Sequence, residues 1–441
     1  MGVLLLVGTR KGLFLIRGGA NRSSWELEGP LLTGWSVFHA MQDPRDGNLY
    51  VAGNNFVYGG TVQRSSDLGQ TWERSEGLGL PEETGLKLEE VWHVEPGHES
   101  EPETLYLGAT PGALFRSGDK GETWEPLMGL VQHETREQWQ PGAGGMCCHS
   151  IQIDPEDPKQ MYAAISAAGA FRTDDGGETW MPRNKNVAAD FMPDPFPEVG
   201  QCVHKLLLHP EQRERLWQQN HCGVYRSDDR GDDWERLEGN GLPAGFGFPL
   251  ALHPRDPDIA YVIPEEGAEN RVTPNGRLGV YRTTDGGASW ELLQNGLPQQ
   301  AWAAVMRRGL RVGPKRPGGD LLRHAERLGL RVGVRRRRVD GGRPPAAADP
   351  VRRGWRVVVV RIPSLLADQA GGQGTFEVEA ATVGEALRGL PVRDLVLDER
   401  GELRRLVNVY VDGEDARRGD GLETPLAGAQ EIRVIAAVAG G

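Results

Sequence analysis

A chain of 441 residues is too long for one ordinary hydrophobic core, so two domains or a repeat architecture are expected. Its formal net charge of -12 argues against a dedicated nucleic-acid-binding protein and favours an acidic one. The sequence has no apolar stretch of membrane-spanning length, no recognisable secretory signal and no Cys-x-x-Cys spacing. We therefore expect reduced thiols, a cytoplasmic location, and neither a membrane nor a nucleic acid as partner.

One pattern, Ser/Thr-x-Asp-x-Gly-x-x-Trp, recurs five times at intervals of a little over fifty residues. In each copy a hydroxyl and a carboxylate can bond the backbone of a tight turn, glycine supplies a positive φ, and tryptophan packs the hairpin edge. Four short strands per repeat predict the blade of a β-propeller. The five aspartates are Asp67, Asp119, Asp175, Asp229 and Asp285.

These repeats resemble the Asp-boxes (BNR repeats) of sialidases and of many non-enzymatic propellers. The resemblance implies a structural role for the five aspartates, because the box is a turn device at the blade periphery. It leaves open whether the propeller is a sialidase-like glycoside hydrolase or a non-enzymatic scaffold. A sialidase needs an arginine cluster, a Tyr-Glu nucleophile pair and an acidic Asp, and we assemble no such set from the strands expected at the axis.

The strands expected at the propeller axis instead contain histidines, one in each of four successive units. Equivalent strands converge on the central channel, so the imidazoles could face one another and bind iron, zinc or copper. His221, Glu265 and Glu266 lie in loops that could reach the same mouth. The alternative is that each histidine is a hydrogen-bonded packing residue. The four candidate metal ligands are His39, His93, His149 and His204.

The chain is rich in arginine where the next box is expected. From Arg307 to Arg361 there are sixteen arginines and few acids. Three interpretations are open: a basic disordered linker, an RNA- or membrane-binding arm, and a translated frameshift in GC-rich DNA. We prefer the frameshift, because permitted codons for Arg335 to Asp340, read one nucleotide later, spell the Asp-Asp-Gly-Gly-Trp of a missing box. The propeller would then have seven units, the last one disrupted.

The carboxyl-terminal region returns to a regular pattern from about Trp355. Its β-branched runs predict four strands, and Thr382 followed by Glu385 is a capping box for one helix. The order β-β-α-β-β is typical of a small α+β, ubiquitin-like (β-grasp) domain. The predicted elements are the strands Val357 to Ile362, Thr375 to Glu379, Leu406 to Val411 and Glu431 to Ala436, and the helix Thr382 to Leu390.

Four segments of this region resemble the MoaD/ThiS family of sulfur carriers: 371–373, 408–415, 421–426 and 437–441. The match looks closest to carriers that serve molybdopterin or cysteine synthesis. The resemblance implies that an adenylating, ubiquitin-activating-like partner enzyme uses ATP to activate the carboxylate of Gly441. Sulfur from a donor then replaces AMP, and the resulting thiocarboxylate serves a sulfur-acceptor enzyme. Gly440 would supply clearance for the tail; the alternative is a frayed end without function.

We therefore expect a mainly β chain with three parts. An Asp-box propeller occupies residues 1–303, a disrupted last blade or linker occupies 304–354, and a β-grasp domain occupies 355–441. We expect a carrier or binding protein rather than an enzyme, and no bound cofactor apart from a transition metal in the propeller channel.

Overall fold

The structure is a computed structural model. It describes residues 3–19, 23–139, 141, 145–192, 194–307, 310, 356–362, 366–367, 370, 373–398, 400–404, 407–416 and 419–436. These residues fall into two compact units, one within 3–310 and the other within 356–436. Among them, every helix is too short or too polar to cross a membrane.

The first unit contains six antiparallel sheets in its described residues, one of three strands and five of four. Within each sheet the strands follow one another in chain order, which is the meander of a propeller blade. The predicted propeller fold is thereby confirmed. The first three sheets comprise β1 (Val3–Thr9), β2 (Gly12–Gly18) and β3 (Trp25–Leu31); β4 (Ser36–Gln42), β5 (Leu49–Asn55), β6 (Gly59–Ser65) and β7 (Glu73–Arg74); and β8 (Glu90–Pro96), β9 (Leu105–Thr110), β10 (Ala113–Ser117) and β11 (Glu125–Pro126).

The next three sheets repeat the same order after a short helix, α1 (Met128–Val131). Single 3₁₀ turns lie in the connections, at Glu82–Thr84, Arg136–Gln138 and Pro274–Gly276. The strands are β12 (Cys148–Ile153), β13 (Met161–Ile165), β14 (Gly169–Thr173) and β15 (Met181–Pro182); β16 (Val203–His209), β17 (Gln212–Asn220), β18 (Gly223–Ser227) and β19 (Glu235–Arg236); and β20 (Gly247–Leu252), β21 (Ala260–Pro264), β22 (Val280–Thr283) and β23 (Glu291–Leu293).

The hydrophobic core of this unit lies between successive sheets. Tyr50 and Val62 of the second sheet pack against Leu105, Leu107 and Phe115 of the third, and all five side chains are almost fully buried. Burying one large apolar side chain stabilises a fold by about 1.5–3 kcal/mol. Each sheet therefore depends on its neighbour for its stability, as expected of stacked repeats.

A seventh unit was expected within residues 304–354. Of that range the structure describes only 304–307 and 310, so the proposed frameshift, including Arg335 to Asp340, lies outside the described residues.

Each of the five Asp-box turns is closed by the same local hydrogen bonds. In the first, the Ser65 hydroxyl donates to Asp67 Oδ1 at 2.8 Å and accepts the backbone N–H of Gly69 at 2.8 Å. The carboxylate also accepts the N–H of Thr71 at 2.9 Å, and Gly69 has a φ of 97°, a conformation that favours glycine. The hydroxyl–carboxylate bond recurs in the pairs Ser117–Asp119, Thr173–Asp175, Ser227–Asp229 and Thr283–Asp285.

Two of the box tryptophans tie one blade to the preceding one. Trp124 donates its indole N–H to Ser75 Oγ at 3.1 Å, and Trp234 donates to the carbonyl of Arg183 at 2.9 Å. Both acceptors follow the last strand of the preceding sheet. The motif therefore closes its own turn and also fixes the spacing between blades.

The described residues of the second unit form a five-stranded sheet, two short α-helices and a 3₁₀ turn at Gly421–Glu423. The strand order is β25-β24-β28-β26-β27, and β24 pairs with β28 in parallel while the other pairs are antiparallel. This is the predicted β-grasp arrangement. The elements are β24 (Arg356–Arg361), β25 (Thr375–Ala380), α2 (Val383–Arg388), α3 (Arg393–Val396), β26 (Val407–Val411), β27 (Glu414–Asp415) and β28 (Glu431–Ala436).

The helix α2 covers one face of this sheet. Val383 and Leu387 on the helix are fully buried and share a core with Val360, Val409 and Ile432 of three central strands. A cap fixes where the helix begins: the N–H of Glu385 donates to Thr382 Oγ1 at 3.3 Å. The Glu385 carboxylate reaches back to the N–H of Ala381 at 2.8 Å, one residue before the position that an ideal capping box would use.

Candidate functional site

The first strands of neighbouring sheets pack together from β4 to β20, and each of these five inner strands contains a β-bulge. A bulge leaves a residue out of the ladder and redirects its side chain. Two ring contacts join bulge positions of neighbouring blades: Phe38 to Trp92 at 4.5 Å and His204 to Phe248 at 4.4 Å between centroids. The residues left out of the ladder include Phe38, Trp92, His149, His204 and Phe248.

Arg307 joins several of these bulge positions. Its Nε donates to the carbonyl of His204 at 2.8 Å, and its Nη2 donates to Ser166 Oγ at 3.3 Å. The guanidinium carbon lies 5.3 Å from the Phe248 ring centroid and 5.9 Å from that of Trp92, within cation–π range. Arg307 is only 6% exposed. The contacts of the propeller therefore continue beyond residue 303, where we had expected the domain to end.

His39 and His93 lie one residue beyond the bulge, in equivalent positions of neighbouring strands. Their rings stack at 4.3 Å between centroids. His39 Nδ1 accepts the N–H of Val94 at 3.3 Å, and His93 Nε2 lies 2.7 Å from the Glu95 carboxylate. The rings of these two histidines therefore pack against each other, and each ring also has a polar partner outside the pair.

His149 and His204 occupy the bulge itself, so their surroundings differ from those of His39 and His93. His149 Nε2 is 2.7 Å from the carbonyl of Val203 and 3.1 Å from Ser166 Oγ. His204 Nδ1 is 2.7 Å from the carbonyl of Gly247. Among the described residues, the four predicted metal ligands do not meet as one group, because the bulge places two of them out of register with the other two.

His204 instead belongs to a group with Cys202 and His221. The Sγ of Cys202 and one ring nitrogen from each histidine all lie within 4.8 Å of one another. Burial, reinforced by Arg307, holds the pKa of His204 well below its usual value. Burial, reinforced by Arg271, lowers the pKa of His221 to about 4. Both imidazoles are therefore neutral at pH 7, with a nitrogen lone pair available.

Glu265 and Glu266, also candidates from the sequence, separate in the structure. Glu265 is fully buried, and its Oε1 accepts the N–H of Val305 at 2.9 Å, while burial raises the pKa of its carboxyl. Glu266 accepts the N–H of Asn275 at 3.1 Å within a loop. Glu265 therefore helps to fasten the segment that leads to Arg307, and Glu266 stabilises a turn.

A cleft of about 410 Å³ borders His221. Its walls include Asp190, Phe191, Phe246 and Glu238, and the rings of Phe191 and Phe246 contact His221 edge-on at 5.0 and 5.2 Å. The cleft connects one member of the Cys202–His204–His221 group with the surface.

Sequence reasoning missed Cys202, Arg271 and Arg307 as members of this site. The four cysteines were set aside because they lack Cys-x-x-Cys spacing, yet Cys202 stands two residues before His204, and this Cys-x-His spacing was a usable signal. Arg307 was assigned to the arginine-rich segment, and no local pattern indicated that it would turn back into the propeller.

The candidate carrier tail comprises Gly440 and Gly441, which lie outside the described residues. The last residue that the structure describes is Ala436, at the end of β28. This strand lies between β24, which pairs with residues 431–433, and β26, which pairs with residues 432–436.

Fold and geometry together define a β-propeller joined to a ubiquitin-like β-grasp domain. Residues 360–441 match the ThiS family. Over 91 residues the chain is 35% identical to the sulfur carrier protein CysO of Mycobacterium tuberculosis, covering 98% of CysO and 19% of this chain. The chain therefore belongs, through this domain, to the ThiS family of sulfur carriers. A chain in the crystal structure of the Amycolatopsis orientalis BexX/CysO complex is 36% identical, with 19% of this chain and 99% of that chain covered and a TM-score of 0.18.

The Asp-boxes resemble those of sialidases, but the propeller is similar in sequence to xyloglucanases. Over 218 residues it is 25% identical to xyloglucanase Xgh74A of Acetivibrio thermocellus, and the match covers 44% of this chain. The chain spans only about a quarter (24%) of that xyloglucanase.

Proposed function

We propose that this chain is a sulfur carrier whose Gly441 carboxylate is adenylated and then converted to a thiocarboxylate. The observation that carries the proposal is the match of the β-grasp domain to CysO over almost all of the CysO sequence. The first step joins the carboxylate to AMP and releases pyrophosphate from ATP. In the second, sulfide attacks the acyl carbon, AMP leaves, and a C–S bond replaces the C–O bond to AMP.

The partners follow from this chemistry. One is an adenylating, ubiquitin-activating-like enzyme that binds ATP; the others are a sulfur donor and an acceptor enzyme of the cysteine or molybdopterin type. The four cysteines are buried thiols and not disulfides. We place the reaction in the cytoplasm, which is reducing and contains ATP. We assign residues 1–310 to the propeller and residues from about 355 onward to the carrier.

Mass spectrometry of the intact chain tests the proposal. The chain is incubated with ATP, sulfide and an enzyme that adenylates CysO. We expect the exchange of one oxygen for one sulfur at Gly441. Deleting Gly441 should abolish the exchange. Gly118→Ala should leave it unchanged, because a Cβ at Gly118 meets only open space. If CysO is modified in the same mixture and this chain is not, the proposal is wrong.

A second candidate function, glycoside hydrolysis by the propeller, rests on the similarity to xyloglucanase. It predicts that the full chain releases reducing ends from xyloglucan, and that deletion of Gly441 does not change the rate. If no sugar is released, the propeller is best regarded as a non-enzymatic binding scaffold beside the carrier domain. The two assays are independent, so either activity can be rejected alone.

A further inference from the structure

Cys202, His204 and His221 come together because of the local chain path. Cys202 directly precedes the inner strand β16, and His204 is its bulged residue. His221 lies in the hairpin turn between β17 and β18, and its backbone N–H donates to the carbonyl of Cys202 at 2.9 Å. The fold therefore brings a thiol and two imidazoles from three backbone positions to one point.

The hydrogen bond of His204 determines which of its nitrogens is available. A neutral imidazole with Nδ1 at 2.7 Å from the carbonyl of Gly247 must carry its proton on Nδ1, because a carbonyl only accepts. Its Nε2 then has a lone pair. Among the described residues this fully buried Nε2 has no hydrogen-bond partner. A ring N–H held by a backbone carbonyl, with the other nitrogen directed elsewhere, is the arrangement of metal-binding histidines.

We propose that Cys202, His204 and His221 bind one thiophilic transition-metal ion, Zn²⁺ or Cu⁺, through Cys202 Sγ, His204 Nε2 and one ring nitrogen of His221. Thiolate and imidazole are the ligands that these ions prefer. In a bound zinc site the ligand atoms lie roughly 3.3–3.8 Å apart, given metal–ligand bonds of about 2.0–2.3 Å. One donor atom of each residue lies within 4.8 Å of the other two, so metal binding requires side-chain movements of only about 1 Å.

The charges around Cys202, His204 and His221 indicate which metal ion the site would favour. Burial raises the pKa of the Cys202 thiol, and the guanidiniums of Arg307 and Arg271 act against this rise. Glu265 offsets the charge of Arg271. The thiol proton leaves when the metal binds. One thiolate, two neutral imidazoles and Cu⁺ form a neutral complex, which suits a site beside two cations. Zn²⁺ would retain one positive charge and would reach neutrality only with an anionic fourth ligand, for which the cleft beside His221 offers an entrance.

Metal titration of the full chain tests the site. Protein stripped with a chelator under reducing conditions is titrated separately with Zn²⁺, Cu⁺ and Co²⁺, and bound metal is measured by elemental analysis. We expect one ion per chain, and for Co²⁺ a thiolate-to-metal charge-transfer absorption band. Cys202→Ser should remove that band, and His221→Asn should weaken binding by at least about tenfold.

Two matched variants serve as controls. Cys222→Ser removes the thiol next to His221 in sequence, and His149→Gln removes the histidine at the equivalent bulge; neither belongs to the group, so both should bind metal like the wild type. Circular dichroism establishes that each variant is folded. His221, at the edge of the cleft, is less buried than Cys202 and His204. The inference is overturned if the wild type binds less than one ion, or if Cys202→Ser and His221→Asn bind as the wild type does.

Discussion

Arg307 donates a 2.8 Å hydrogen bond from its Nε to the backbone carbonyl of His204, 103 residues earlier in the chain. The bond brings the segment after the last sheet back to the bulge of an inner strand. The guanidinium is buried beside two aromatic rings and the Ser166 hydroxyl. A side chain that sequence analysis placed in a disordered or frameshifted region is thus part of the propeller interior.

Replacing Arg307 should destabilise the propeller. Arg307→Ala removes two cation–π contacts and leaves a buried carbonyl without its donor, and we expect a loss of about 1–3 kcal/mol in the free energy of unfolding. The substitution also removes a buried cation, which opposes this loss of stability. It leaves a cavity as well, which adds to the loss. Urea unfolding measures the change, with exposed Arg255→Ala as control. Equal midpoints for the two variants would contradict a structural role for Arg307.

The Asp-box carboxylates should make the propeller sensitive to acid. Hydrogen bonds from the Thr71 hydroxyl and N–H, and from the Ser65 hydroxyl, lower the pKa of Asp67 from 3.8 to about 2. A depressed pKa contributes stability that is present above about pH 4 and is lost as the pH falls towards 2. Asp67→Asn should therefore be less stable than the wild type at pH 7, and the difference should shrink between pH 4 and 2. Exposed Glu99→Gln is the control, and a difference independent of pH would refute the linkage.

The helix cap of the β-grasp domain should contribute measurably to its stability. Thr382→Ala removes the acceptor for the N–H of Glu385 and should cost about 0.5–2 kcal/mol. Thr382→Asp keeps an acceptor at the same place and should retain most of the stability. Denaturant unfolding followed by a probe within residues 356–436 measures the effect. Identical stability of the Ala and Asp variants would show that the cap is not used.

Gly108 should tolerate no side chain, because it lies where two blades approach closely. A Cβ on this residue of β9 would overlap the backbone carbonyl of Cys148 in the inner strand of the next sheet. Gly108→Ala should therefore destabilise the propeller by about 1–3 kcal/mol. Gly118→Ala, at a position with open space, is the matched control. Calorimetric melting temperatures that agree for the two variants would mean that the blades can separate at this point without loss.

The parts of the fold that could be predicted are those whose contacts are local in sequence. Ser65, Asp67 and Gly69 lie within one turn, so the repeated motif contains almost all the partners that define it. The cap formed by Thr382 and Glu385 is equally local. The alternation of strands in both units followed from the same short-range patterns.

The candidate site in the propeller could be predicted only in part, because its geometry depends on strand register. His39 and His204 look equivalent in the sequence, yet one lies just after the bulge and the other lies in it. A difference of one residue in register turns a side chain to another face, and only the pairing with the neighbouring strand decides it. The contact of Arg307 with His204 joins residues too distant in sequence for any periodic pattern to reveal.

The central position of β28 in the sheet also bears on where a strand of another protein could pair with the β-grasp domain. Residues 431–433 of β28 are paired with β24 on one side, and residues 432–436 are paired with β26 on the other. The outermost strands of the described sheet are β25 and β27, and their outer edges have no strand partner among the described residues. A partner strand added at β25 or β27 would therefore lengthen the sheet at a distance from β28, the strand that precedes residues 437–441.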